Sequence, residues 1–228
     1  MAVLVIGAGP GLGASLVERF SRDGERLAYV ARSADTLEGI ARTERLQGRN
    51  IKAFQADAAD FSSLSRALSQ ASDWAGPFSV LVYNAVTFNE ESAATLSADQ
   101  LKDDLGATLF GAAQCVQHVL PEMLAQGKGT ILTTGGGLSL NPVEPWASVA
   151  VGKAGLRAYT TALAKAVGAK GVHAASVTIC GHIAPGGDFD PDRIAQSYWD
   201  LHMQQPGAFS SELIYSPEGS DKNYNERD

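Results

Sequence analysis

The sequence predicts a doubly wound α/β fold, with one parallel sheet covered by helices on both faces. Three observations predict it. Short apolar runs of strand length recur along the 228 residues. Segments with the period of an amphipathic helix separate them. The runs are too apolar to leave one face to water, which asks for crossover helices on both sides.

In chain order, the strand candidates are Ala2 to Ile6, Arg26 to Ala31, Ile51 to Gln55, Ser79 to Tyr83, Thr130 to Thr134 and Val172 to Ile179. The helices between them carry buried stripes: Leu12, Leu16 and Phe20; Phe61, Leu64, Leu68 and Ala71; Leu105, Leu109, Ala112, Val116 and Leu120; Leu156, Leu163 and Val167. Asp60 is placed to cap the second of these. After the last strand, residues 184–205 read as a substrate-loop region. It includes a helix with Ile194, Tyr198, Leu201 and His202, whose Tyr198, Trp199 and Met203 either wall a pocket or belong to core or interface. No Pro- or Ser-rich linker divides the chain, so residues 1–215 are expected to form a single domain. The polar stretch 216–228 is expected to fray or to lie on a neighbouring subunit.

Composition narrows the function. Apolar residues make up 45% and charged residues 19%, as in a globular chain, and the net charge of -7 gives a phosphate backbone little to bind, so nucleic acid is not expected as a partner. Two cysteines, Cys115 and Cys180, suggest no disulfide framework and fit a reducing cytoplasm. Neither a leader nor a run of membrane-spanning length is evident, so no membrane association is expected. No metal-spaced His and Cys group or paired carboxylates stand out, which disfavours an isomerase or lyase chemistry.

In a doubly wound sheet, ligands bind beyond the carboxyl ends of the strands. After the first strand runs Gly7-Ala8-Gly9-Pro10-Gly11-Leu12-Gly13, followed by a helix. Glycines there permit a tight turn and let backbone N–H groups approach a pyrophosphate, whose charge the helix N-terminus favours. A Rossmann-type nucleotide site is therefore expected at Gly7, Pro10, Gly11, Leu12 and Gly13. At the end of the second strand, where an acidic residue would bond the ribose of NAD, the chain has Ala31, with Arg32 and Ser33 next. That pattern favours NADP(H) over NAD(H), although Arg32 also reads as a solvated residue at a helix start.

The spacing of Gly7, Gly11 and Gly13 resembles the G-x-x-x-G-x-G loop of the short-chain dehydrogenase/reductases, and segments as far as Ile183 resemble that family in the same order. The resemblance implies that Asp57 bonds the adenine, with a backbone contact from Ala58; a plain turn role for Asp57 is the alternative. Asn84 and Ala85 match the family's N-N-A-G turn, while Tyr83 and Val86 depart from it. Ile183 falls where the family's backbone holds the nicotinamide carboxamide. The family also implies a small-molecule substrate and a homodimer or homotetramer, built through the helices around Leu105 to Leu120 and Leu156 to Val167.

The family's proton chemistry is where the sequence departs. It uses a Tyr-x-x-x-Lys pair on a helix and a Ser after the fifth strand. Here Lys153 is retained, but Val149 stands at the Tyr position, Gly136 at the Ser position and Thr108 where many members carry Asn. Loss of a positioned acid costs about 100- to 10,000-fold in rate, and loss of an oxyanion donor about 100- to 1,000-fold. Lys153 reads as the surviving catalytic-site residue, holding the nicotinamide ribose, or as a solvated lysine; His182 is a candidate replacement acid or a surface histidine. Two functions remain open: an NADP(H)-dependent oxidoreductase with an atypical site, and a non-catalytic NADP(H) sensor or scaffold.

Overall fold

The computed structural model describes residues 2–22, 26–46 and 48–217. Seven strands form one sheet in the order β3-β2-β1-β4-β5-β6-β7. They are β1 (Ala2–Ile6), β2 (Arg26–Ala31), β3 (Ile51–Gln55), β4 (Val80–Tyr83), β5 (Gly129–Gly136), β6 (Val172–Ile179) and β7 (Glu212–Tyr215), and every neighbouring pair is parallel. The helices are α1 (Leu12–Ser21), α2 (Ala34–Leu46), α3 (Phe61–Ala75), α4 (Ala98–Leu105), α5 (Gly111–Gln126), α6 (Ala147–Val167) and α7 (Pro191–His202). The doubly wound fold is thus the one expected, with a separate core on each face.

Alternation along β1 divides those cores. Ala2, Leu4 and Ile6 enter the layer formed with α3, α5 and α6, through Leu64, Leu68, Val116 and Leu156. Val3 and Val5 enter the opposite layer, with Leu16 and Phe20 of α1, Leu37 of α2 and Tyr198 of α7. Because β1 pairs with β2 on one side and β4 on the other, the order in which strands are added reverses beside it, and a crevice opens at the strand ends. Asp60 caps α3 as expected, its carboxylate accepting from the N–H groups of Ser62 and Ser63.

Three features differ from the sequence reading. Phe61 is 49% exposed; as the first residue of α3, it precedes the turn that reaches the sheet. The stretch Leu105 to Leu120 is not one regular α-helix, because a π-helical turn at Gly106–Phe110 joins α4 to α5, with the Gly111 N–H bonded to Gly106 O. That wider turn leaves the Ala107 carbonyl to accept from the buried Tyr83 hydroxyl. Finally, β7 adds an edge strand that the apolar-run pattern did not reveal. Within 184–205, α7 occupies 191–202 and packs on α1, with Phe20 and Trp199 meeting edge to face at 5.3 Å. Tyr198 is fully buried and belongs to the core. The stretch 216–228 lies outside the described residues from 218 onward.

Candidate dinucleotide site

The loop between β1 and α1 turns at Gly7, whose φ of 83° favours glycine, and a Cβ there would lie 2.4 Å from Ala85 N. The start of α1 rests directly on this turn: a Cβ at Gly13 would lie 2.6 Å from Gly7 O. Gly9 and Gly11 instead face open space. Side chains cap α3, α4 and α7, whereas the N-terminus of α1 at Gly11 has no side-chain cap. Ala14 N already donates to Gly9 O at 2.8 Å, which leaves the N–H groups of Leu12 and Gly13 as the anion-binding end.

A groove of about 330 Å³ runs from this loop across the ends of β1, β2 and β3. Of the residues expected to bind cofactor, Gly7, Pro10, Arg32, Ser33, Asp57, Ala58, Asn84 and Ala85 line it; Gly11, Leu12, Gly13, Lys153 and Ile183 do not. Arg32 and Ser33 are exposed at its outer end. Ser33 Oγ accepts from Thr36 N at 3.3 Å, which leaves its hydroxyl proton to donate. Asp57 does hold its own turn, one carboxylate oxygen accepting from Ala59 N at 2.9 Å, and it also lines the groove.

Beyond the groove, the end of β5 carries a polar cluster. Lys153 is buried on α6, and its ammonium donates to the main-chain carbonyl of Thr134 at 2.7 Å. It is therefore not a solvated lysine. Burial brings its pKa down from the usual 10.5 to about 8. The side chain of Val149, one helical turn earlier, is buried. A Cβ at Gly136 would meet the Lys153 stem at 3.7 to 4.0 Å, so positions 136, 149 and 153 do converge. Thr108 is buried in the π-helical turn and accepts from Thr87 N at 3.2 Å. His182 is exposed, and Ile183 packs at the margin of the α7 core.

Sequence reasoning missed Thr134 and Tyr198. Thr134 Oγ bonds both Asn84 Oδ1 at 2.8 Å and the Tyr198 hydroxyl at 2.7 Å, and Asn84 Nδ2 donates to Gly7 O at 2.9 Å. A threonine closing an apolar strand and a tyrosine in a helical stripe carry no local signal of this pairing.

The arrangement fits a dinucleotide: glycines 9 and 11 leave a space that a Cβ would fill, the helix end is open, and a cation and a carboxylate flank the outer groove. When bound, such a cofactor supplies or accepts hydride. The loop and the α1 N-terminus would hold its pyrophosphate, and Lys153 has N–H donors left for hydroxyl oxygens. Among the described residues, no three His, Cys, Asp or Glu side chains group to hold a metal, and no helix is long and apolar enough to cross a membrane.

A family model described as short chain dehydrogenase matches residues 1–186. A probable galactose dehydrogenase of Rhizobium meliloti is 30% identical over 169 residues, 73% of this chain and 65% of that protein. A 2-(R)-hydroxypropyl-CoM dehydrogenase of Xanthobacter autotrophicus is 31% identical over 193 residues, 80% of this chain and 72% of its own length. A 3-dehydrosphinganine reductase of Arabidopsis thaliana is 26% identical over 175 residues, and the match spans only 52% of it. Among solved structures, a short-chain dehydrogenase from Rhodopseudomonas palustris superposes with a TM-score of 0.85 at 25% identity, covering 95% of this chain and 98% of the other. A metagenomic short-chain oxidoreductase in complex with NADP gives 0.85 at 23% identity, covering 94% and 95%, and shares the fold. The chain belongs to the short-chain dehydrogenase/reductase family.

Proposed function

We propose that this protein binds NADP(H) in preference to NAD(H) and acts as an oxidoreductase on a small molecule without the family's Tyr and Ser donors. The observation that carries the cofactor choice is the outer end of the groove, where Ala31 stands in place of an acid and the exposed Arg32 and Ser33 can donate to a 2′-phosphate. A guanidinium pairs with phosphate through strong, charge-assisted hydrogen bonds, worth about 1.5–3 kcal/mol each. The NADP bound by the metagenomic relative of the same fold supports this choice. The loop at Gly7 to Gly13, Asp57 and Ala58, Asn84 and Ala85, Ile183 and Lys153 would hold the remaining parts of the cofactor.

The convergence of Gly136 and Val149 on Lys153 favours a second reading, a cofactor-binding sensor or scaffold, because no hydroxyl or phenol stands at those two positions. Calorimetric titration with NADPH, NADP, NADH and NAD separates the cofactor claims. NADP(H) is expected to bind more tightly, with Arg32→Ala erasing the preference; equal affinities for the two series refute it. NADPH oxidation across carbonyl, imine and alkene panels then tests the enzyme reading, and no oxidation of any compound leaves the sensor. The half-exposed Phe110 and Val151, on the π-helical turn and α6, support assembly through these helices, and a monomer in light scattering at all concentrations would contradict it.

A further inference from the structure

Gly7 O is the hub of the loop. It accepts from Gly9 N at 2.9 Å and from Asn84 Nδ2 at 2.9 Å, and the start of α1 packs against it at Gly13. This one atom sets the direction of a longer chain of bonds. A carbonyl only accepts, so Asn84 must turn its amide nitrogen toward Gly7 and its oxygen toward Thr134. The oxygen also only accepts, so the Thr134 hydroxyl must donate to it. Thr134 Oγ is then left with lone pairs, and the Tyr198 hydroxyl, 2.7 Å away and fully buried, must donate to Thr134. Reversing any link sets two acceptors face to face.

The chain runs through the sheet. Tyr198 belongs to α7 in the layer with α1, while Thr134 and Asn84 sit at the ends of β5 and β4. Helix α7 also grips α1 itself, through Ser15 Oγ donating to Asp192 Oδ1 at 2.6 Å and through the Phe20 and Trp199 rings. It therefore touches both structures that define the loop: the helix that follows Gly7 and the side chain that holds its carbonyl. Burial raises the phenol's pKa, so its proton remains on the oxygen through the working range.

We propose that Tyr198 is a positioning residue for the phosphate loop, holding Gly7 through Thr134 and Asn84 so that the loop is preset for a dinucleotide's pyrophosphate. The proposal rests on the dinucleotide reading of the site. Tyr198→Phe keeps the ring and removes only the donor. Thr134→Val keeps the shape and the main-chain carbonyl that serves Lys153, and Thr134→Ser keeps the hydroxyl.

Calorimetry with two probes tests it: NADPH, and 2′-AMP, which has no 5′-phosphate for the loop to hold. Tyr198→Phe is expected to weaken NADPH about tenfold and to leave 2′-AMP within about twofold. Thr134→Val is expected to do the same, the double variant to be no weaker than Thr134→Val alone, and Thr134→Ser to bind as wild type. Unchanged NADPH affinity in Tyr198→Phe, equal weakening of both probes, or additive losses would overturn the proposal while leaving the cofactor reading intact. Failure of the wild type to bind NADPH would overturn the cofactor reading instead. Amide exchange in the ligand-free protein then decides the wire itself: Tyr198→Phe should speed exchange of the Asn84 side-chain amide and the Gly9 N–H, and unchanged exchange at both refutes it.

Discussion

The ammonium of Lys153 donates to the Thr134 carbonyl at 2.7 Å, and no carboxylate among the described residues pairs with it. A buried cation held by one neutral acceptor is costly to the fold and costs less once neutral. The folded-state pKa of about 8 lies below the usual 10.5, so between these values the unfolded chain holds more protons and stability rises with pH. Burial raises the Tyr83 and Tyr198 phenols, so above about pH 10 the unfolded chain loses those protons first and stability falls. The gain is therefore read between about pH 8 and 10. Lys153→Met is expected to be more stable than wild type by about 1–4 kcal/mol at pH 7. Urea denaturation at rising pH should show that gap narrowing; a gap independent of pH would refute the assignment.

The two glycines at the end of β5 differ in what they permit. A Cβ at Gly135 would lie 2.6 Å from Thr178 Oγ and 3.0 Å from the Thr178 backbone, whereas one at Gly136 meets the flexible Lys153 stem at ordinary contact distance. Gly135→Ala is expected to destabilise by about 1–3 kcal/mol. Gly136→Ser should melt within about 0.5 kcal/mol of wild type. Packing thus demands glycine at 135 only, and the absence of a hydroxyl at 136 has no steric cause. Thermal melts of both variants check this, and a Gly136→Ser loss as large as that of Gly135→Ala would show that packing excludes the hydroxyl.

What was legible in the sequence was local. Six strands were visible because each holds a short stretch rich in apolar residues, and the loop was visible because its glycines sit between a strand and a helix. The edge strand β7 escaped: it has four residues, only partly buried except for the exposed Ile214, and is held by pairing with β6. The π-helical turn escaped because the bond its carbonyl accepts, from Tyr83 to Ala107, joins residues 24 apart in sequence. Thr134 and Tyr198, 64 residues apart, acquire their role only through the doubly wound topology. Lys153 was legible as a residue by its spacing, but its lack of an ionic partner was not.

Arg157 on α6 clasps Glu212 on β7 through two bonds of 2.6 Å, and Thr178 Oγ donates to the same carboxylate at 2.6 Å. This clasp pins the edge strand to the layer above it. The Arg157 hydrogen bond, with help from Thr178, holds the Glu212 pKa below its usual 4.5. The clasp's stability is therefore present above that value and is lost as pH falls through the lowered one. Glu212→Gln is expected to cost about 1 kcal/mol at pH 7, a modest figure because the arginine is partly solvated. Denaturation of both proteins at falling pH should show the difference closing below about pH 4; a constant difference would mean the loss is one of packing.

Asp57 serves its turn with one oxygen and faces the groove, so its two roles are separable. Asp57→Asn keeps a carbonyl to accept from Ala59 N but exchanges the other acceptor for a donor. If that second oxygen accepts from the adenine amino group, the variant should melt within about 0.5 kcal/mol of wild type. It should also bind 2′,5′-ADP about tenfold more weakly, one charge-assisted hydrogen bond being lost. Asp57→Ala should lose both affinity and stability, because Ala59 N then has no partner. Unaltered nucleotide affinity in Asp57→Asn, measured by calorimetry beside the melts, would reduce Asp57 to a turn residue and move adenine recognition onto the groove's backbone.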